Sequence, residues 1–170
     1  MYPLKLPTYA DLCSLVAWHW PHKPEHAADK AERVLRASRF KNVATVISSG
    51  NVVFDSGSKS TDILEKKIEK ELPEYLGFTS TTIVRSRQEL ETMVEENPFK
   101  SIVHSQRSYL LVSFLKDRKL VPEGALFTTF NLEQTRTPDI MNQLEKKYEK
   151  AITSRTWKTV ERILKKMDTR

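Results

Sequence analysis

The sequence predicts an α+β fold divided into two unequal halves, residues 1–86 and 87–170. Two observations predict it. β-branched runs of period two exchange regularly with stretches of helical period, and no longer repeat or low-complexity segment interrupts them. The 170 residues also sit just above the usual single-domain size, room for one compact domain or for two small halves sharing a core.

The first element, residues 12–18 (LCSLVAW), is a short apolar run that periodicity alone leaves open as strand or helical turn. From Glu25, the residues Ala27, Ala31, Val34 and Leu35 fall at helical spacing opposite Lys30, Arg33 and Arg36, predicting a helix over 25–39. Asn42–Ser48 and Asn51–Asp55 read as paired strands around Ser49-Gly50, where glycine takes the positive φ of a tight turn. Thr61–Leu76 carries Ile63, Leu64, Ile68, Leu72 and Leu76 on one stripe and predicts a helix bent or ended near Pro73. Gly77 closes it, and Thr79–Ser86 returns as a strand. The order β-α-β-β-α-β is the split βαβ, or ferredoxin-like, pattern.

In the second half, Ser86 and Glu89 form a capping box that opens a helix to about Glu96. Arg107–Leu115 and Ala125–Asn131 read as strands about a Pro122/Gly124 turn. Thr137 as N-cap, Pro138 and Asp139 predict a helix over 138–150, and Thr156 to Met167 a final helix with Trp157, Val160, Ile163 and Leu164 inward. The set is one strand short of the first half.

Hydrophobic residues at 39% supply a core and exclude a disordered chain. The longest apolar runs, Leu15–Trp18 and Tyr109–Val112, are four residues, too short for a membrane span or a signal-peptide core, so a cytoplasmic address is expected. The single cysteine, Cys13, agrees. A net charge of +6 admits nucleic acid or another polyanion as partner.

Ser49-Gly50-Asn51-Val52-Val53-Phe54, Val84-Arg85-Ser86 leading into Glu89-Leu90, Asn97-Pro98-Phe99, Thr137-Pro138-Asp139-Ile140-Met141 and Ile152 to Val160 together resemble the bacterial domain of unknown function 1697 family, over about Glu25 to Met167. The resemblance implies two ferredoxin-like halves packed together, the second smaller and incomplete, and no established activity. Members usually open with a strand ending Leu-Arg-Gly-Ile-Asn-Val-Gly-Gly, where this chain has Leu15-Val16-Ala17-Trp18-His19-Trp20-Pro21-His22. The stretch between Leu115 and Ala125 is also shorter than in that family.

The segment Thr153-Ser154-Arg155-Thr156 reads as the start of the last helix, where free N–H groups favour an anion. Lys158, Arg162 and Lys165 or Lys166 continue a basic stripe from Arg155. Residues 139–170 hold nine basic and five acidic side chains, so +4 of the +6 lies there. Ser154, Arg155, Thr156, Lys158, Arg162 and Lys165 are therefore the candidate anion-binding set, against a solvated face with Arg155 paired to an acid of the other half. Ser49 and Asn51 are candidates for a cleft between the halves. Base stacking as in RNA-recognition modules has only Phe54 to work with. His19, His22 and His26 with Cys13 match no standard zinc frame, and no metal or cofactor is expected. Trp18 and Trp20 form either core or a self-association patch. No glycine-rich phosphate loop or nucleophile motif is present, so catalysis is left undecided. Three readings follow: a non-catalytic cytoplasmic protein binding an anionic ligand or nucleic-acid backbone through the last helix, an enzyme or small-molecule receptor with a site between the halves, and a self-associating structural module.

Overall fold

The computed structural model describes residues 13–19, 27–47, 50–58, 60–149 and 151–169. Seven strands and five helices follow in order: β1 (Cys13–His19), α1 (Ala27–Ala37), β2 (Lys41–Val46), β3 (Asn51–Asp55), α2 (Thr61–Leu76), β4 (Thr81–Ser86), α3 (Arg87–Glu96), β5 (Tyr109–Leu115), β6 (Ala125–Phe130), α4 (Thr137–Lys147), β7 (Ile152–Thr156) and α5 (Trp157–Asp168). The ambiguous first run is thus a strand. They form two small antiparallel sheets, ordered β2-β3-β1-β4 and β6-β5-β7.

The first sheet is covered on both faces. On one, Ala31, Val34 and Leu35 of α1 and Leu64, Ile68 and Leu72 of α2 pack on Val43, Val52, Phe54 and Val84. On the other, Val53 and Ile83 meet Leu90 and Met93 of α3, Trp157, Val160 and Ile163 of α5, and Leu110, Val112 and Phe114 of the second sheet. The second core draws on both halves, so neither half is closed without the other. Phe54 is fully buried against Phe40, ring centroids 4.5 Å apart, which removes it from any base-stacking surface.

Several local expectations hold. Gly50 has φ 84° at the β2–β3 turn, Gly77 caps α2 in the left-handed region, and Ser86 with Glu89 forms a reciprocal capping box. Others need correction. Pro73 does not end α2, which runs on to Leu76 because its apolar stripe is held in the core through Leu72. Thr137 is not the N-cap of α4: Arg136 occupies that position, without a side-chain cap, and its guanidinium instead grips Asp139. α4 ends at Lys147 rather than at 150, and the last helix starts one residue later than expected. Residues 153–156 do not begin that helix but form β7, an edge strand paired to β5. Ser48, Ser49, Trp20, His22 and His26 lie outside the described residues, as do the side chains of Cys13, Trp18 and His19.

Candidate functional site

The two sheets end in the same way. Arg85 is the penultimate residue of β4 and Ser86 caps α3; Arg155 is the penultimate residue of β7 and Thr156 caps α5, each hydroxyl accepting from a backbone N–H in the first turn. The registers also agree. Arg85 lies beside Leu15, which lies beside Val53; Arg155 lies beside Val112, which lies beside Phe127. Two residues before Val53 is Asn51, preceded by Gly50 at φ 84°, and two before Phe127 is Ala125, preceded by Gly124 at φ 64°. Both arginines project into the layer between the sheets.

Each reaches across to the other half. Arg155 donates from Nε to Asn51 Oδ1 at 2.5 Å and from Nη1 to Thr153 Oγ1 and the Ser154 carbonyl at 2.8 and 2.7 Å. Arg85 donates from Nη2 to the carbonyls of Leu115 and Gly124 at 2.6 and 3.0 Å, and from Nη1 to that of Val84. The Arg85 guanidinium also lies 5.5 Å from the ring centre of Phe114. No carboxylate forms an ion pair with either arginine among the described residues. Burial accordingly pushes both guanidinium pKa values down to about 10, at Arg85 with help from the neighbouring Arg118 charge.

Asn51, a candidate for the cleft between the halves, is therefore in contact with Arg155 of the anion-binding set, whose partner is a neutral amide rather than an acid. Ser49, the other cleft candidate, lies outside the described residues. The anion-binding set does not stay together. Ser154 points away from Arg155, its hydroxyl 2.7 Å from that of Ser113 in a buried pair. Arg155 sits in a strand and so is not one turn above Lys158, and Thr156 is engaged with Thr159. Lys158, Arg162 and Lys165 remain on one exposed helix face, with Trp157, Val160 and Ile163 buried opposite.

A second charged cluster joins the two halves at a distance from the arginine–asparagine contact. Between β5 and β6, Lys116 and Arg118 fasten the connection onto α2: Lys116 bonds Glu69 and lies 4.0 Å from Glu65, and Arg118 bonds Asp62 at 2.7 Å, the Val84 carbonyl at 2.6 Å, and lies 3.6 Å from Glu65. Glu65 is buried and accepts from the Val84 N–H at 2.8 Å. Burial raises its pKa above the ordinary carboxylate value, against the pull of that hydrogen bond and of the Arg118 and Lys116 charges. The signal available in sequence was Glu65 and Arg85 at core-facing positions of a helix and a strand.

The described residues contain no group of three or more His, Cys, Asp or Glu poised to hold a metal ion, and no helix among them is long and apolar enough to cross a membrane.

Two antiparallel sheets joined by a shared core and crossed by one buried and one half-buried arginine define a mixed α+β protein. The chain belongs to the family described as protein of unknown function (DUF1697), whose model matches residues 25–148. β7 and α5 lie beyond the matched stretch, although Ile152 to Val160 is among the segments that carry the resemblance. The fold is similar to that of a conserved bacterial protein of Streptococcus pneumoniae, with a TM-score of 0.70 and 18% identity over 92% of this chain and 98% of that one. No curated protein matches the chain significantly.

Proposed function

We propose that this is a non-catalytic binding protein for a polyanion, with a nucleic-acid backbone as the model ligand, held on the exposed face of α5. The observation that carries the reading is that Lys158, Arg162 and Lys165, spaced four and three residues apart, are all exposed and in no ion pair among the described residues. Their helix is locked by its opposite face, so the charges stand on a rigid ridge. Counterion release from such a ridge makes affinity fall steeply with salt. Arg155 drops out of the ligand-touching set and becomes the clasp that seats β7, and with it the start of α5. The finer architecture belongs to the same reading: a ferredoxin-like first half, and a second half built alike but without its first helix and second strand. The matching orders β3-β1-β4 and β6-β5-β7 support this.

The test is a Lys158→Glu, Arg162→Glu variant, compared with the parent on heparin and with single- and double-stranded nucleic acid over a salt series. The variant should fold normally and lose retention. Unchanged retention would overturn the reading. A receptor for a small molecule between the halves is favoured by the Asn51–Arg155 contact alone, and predicts instead that Asn51→Ala, not the α5 variant, removes binding.

A further inference from the structure

The register places Arg85, Ser86 and Gly124 in the positions that Arg155, Thr156 and Gly50 hold on the other side of the molecule, and beside Arg85 a groove of about 450 Å³ opens between α3 and the β5–β6 connection. Its surroundings invert the charge of the α5 side. α3 carries Glu89, Glu91, Glu95 and Glu96 against Arg87 alone, where α5 carries Lys158, Arg162, Lys165 and Lys166 against Glu161 and Asp168.

Arg85 lines the groove and is 1% exposed; its Nε–H has no hydrogen-bond partner. The Nε–H of Arg118, another lining residue, likewise makes no hydrogen bond, with Glu89 at 3.3 Å as an ion pair only. A buried donor left without an acceptor costs about 1–3 kcal/mol, more on a charged group, so the Arg85 Nε–H favours an oxygen-rich occupant of the groove. Glu89 is already committed, accepting the Ser86 N–H at 2.7 Å in the capping box. Glu96 and Glu123, also lining residues, are exposed and in no ion pair among the described residues. Glu123 is moreover held at φ 58°, beside Gly124 at φ 64°, a pair of left-handed residues that turns this segment toward α3.

From this juxtaposition of two guanidiniums, one with an orphan Nε–H, and two carboxylates in no ion pair among the described residues around one groove, we propose a ligand site for a small zwitterion of the amino-acid type. Its carboxylate turns toward Arg85 and Arg118, and its ammonium toward Glu96 and Glu123. The lining holds two cations and three carboxylates, so a simple anion faces excess negative charge and a simple amine meets the guanidiniums; a molecule bearing both charges satisfies both ends. The wall of Met93 leaves space for a short apolar side chain.

Isothermal titration of the full chain with glycine, alanine, glutamate and lysine, alongside acetate, methylamine and inorganic phosphate, tests the site. The expected result is saturable binding of at least one amino acid and none of the three single-charge controls. Glu96→Gln with Glu123→Gln, both on the surface and outside any core, should weaken it at least tenfold with circular dichroism unchanged. Arg85→Gln should abolish it, and the surface pair decides the matter where that variant does not fold. The Lys158→Glu, Arg162→Glu variant should bind as the parent does, which separates this site from the α5 face. Absence of saturable binding at millimolar amino acid, equal binding by acetate or phosphate, or affinity unchanged in the double glutamine variant would each overturn the proposal.

Discussion

The Arg155–Asn51 clasp can be dissected as a double-mutant cycle. Burial brings the Arg155 pKa down to about 10, which corresponds to ~3 kcal/mol spent on keeping the guanidinium charged at neutral pH. Against it stand the hydrogen bonds to Asn51, Thr153 and the Ser154 carbonyl, each worth roughly 1.5–3 kcal/mol because the donor is charged. Together the bonds outweigh the cost of burial by ~1.5–6 kcal/mol. Arg155→Met, which keeps the stem and removes both charge and donors, exchanges that surplus for apolar packing and should cost about 2 kcal/mol. Asn51→Ala alone should cost about 2 kcal/mol, since it strands the Nε–H of a half-buried cation and also removes the weak contact at 3.5 Å to the Val46 carbonyl. Made on top of Arg155→Met, the same alanine should cost only ~0.5 kcal/mol, leaving a coupling of about 1.5 kcal/mol. Urea unfolding of the four proteins, with a common m-value, reads it directly. A coupling below ~0.5 kcal/mol, or a loss below ~0.5 kcal/mol for Arg155→Met alone, would refute the view that the clasp outweighs the burial of the charge.

Two further outcomes follow from the β5–β6 connection. Because the folded chain holds the Glu65 proton more tightly than the unfolded chain, that group's contribution is full below its ordinary value of 4.5 and is lost as pH rises through the raised folded value. The parent should thus lose stability relative to Glu65→Gln as pH climbs from about 4 to 7, and a pH-independent difference in urea midpoints would contradict this. Gly124→Ala should cost ~1–3 kcal/mol in a thermal or urea melt, since its φ is 64° and a Cβ there would lie 2.9 Å from Arg118 Cγ; a neutral result would count against the strained turn.

What could be read from the chain and what could not divides along contact distance. α2 over Thr61–Leu76, β3 over Asn51–Asp55 and the Ser86/Glu89 box are specified by residues within a turn or two of one another, and they stand where periodicity and capping put them. In β7, Ile152-Thr153-Ser154-Arg155-Thr156 offers one large apolar residue among hydroxyls, so nothing local distinguishes it from a helix start. It is a strand through pairing with β5, some forty residues earlier, and through the Ser113–Ser154 hydroxyl pair that makes a polar strand tolerable in a buried sheet. Arg155 and Asn51 are separated by 104 positions, and only the register of two sheets brings them together. The charge on α5 was legible because a helical face depends on spacing alone, whereas the inclusion of Ser154 and Arg155 in that face depended on the wrong element.

The short connection between β5 and β6 leaves its mark at the border of the second sheet. β3 is flanked by β2, but no strand lies beyond β6 among the described residues, so the backbone donors and acceptors on that side of Ala125–Phe130 have no ladder to join. Its sequence, Ala-Leu-Phe-Thr-Thr-Phe, contains neither a charge nor a proline, the usual guards against strand-to-strand docking. Strand-to-strand docking of two copies is open along this edge, and a lysine introduced at the exposed Thr129 is the natural place to block it without disturbing either core.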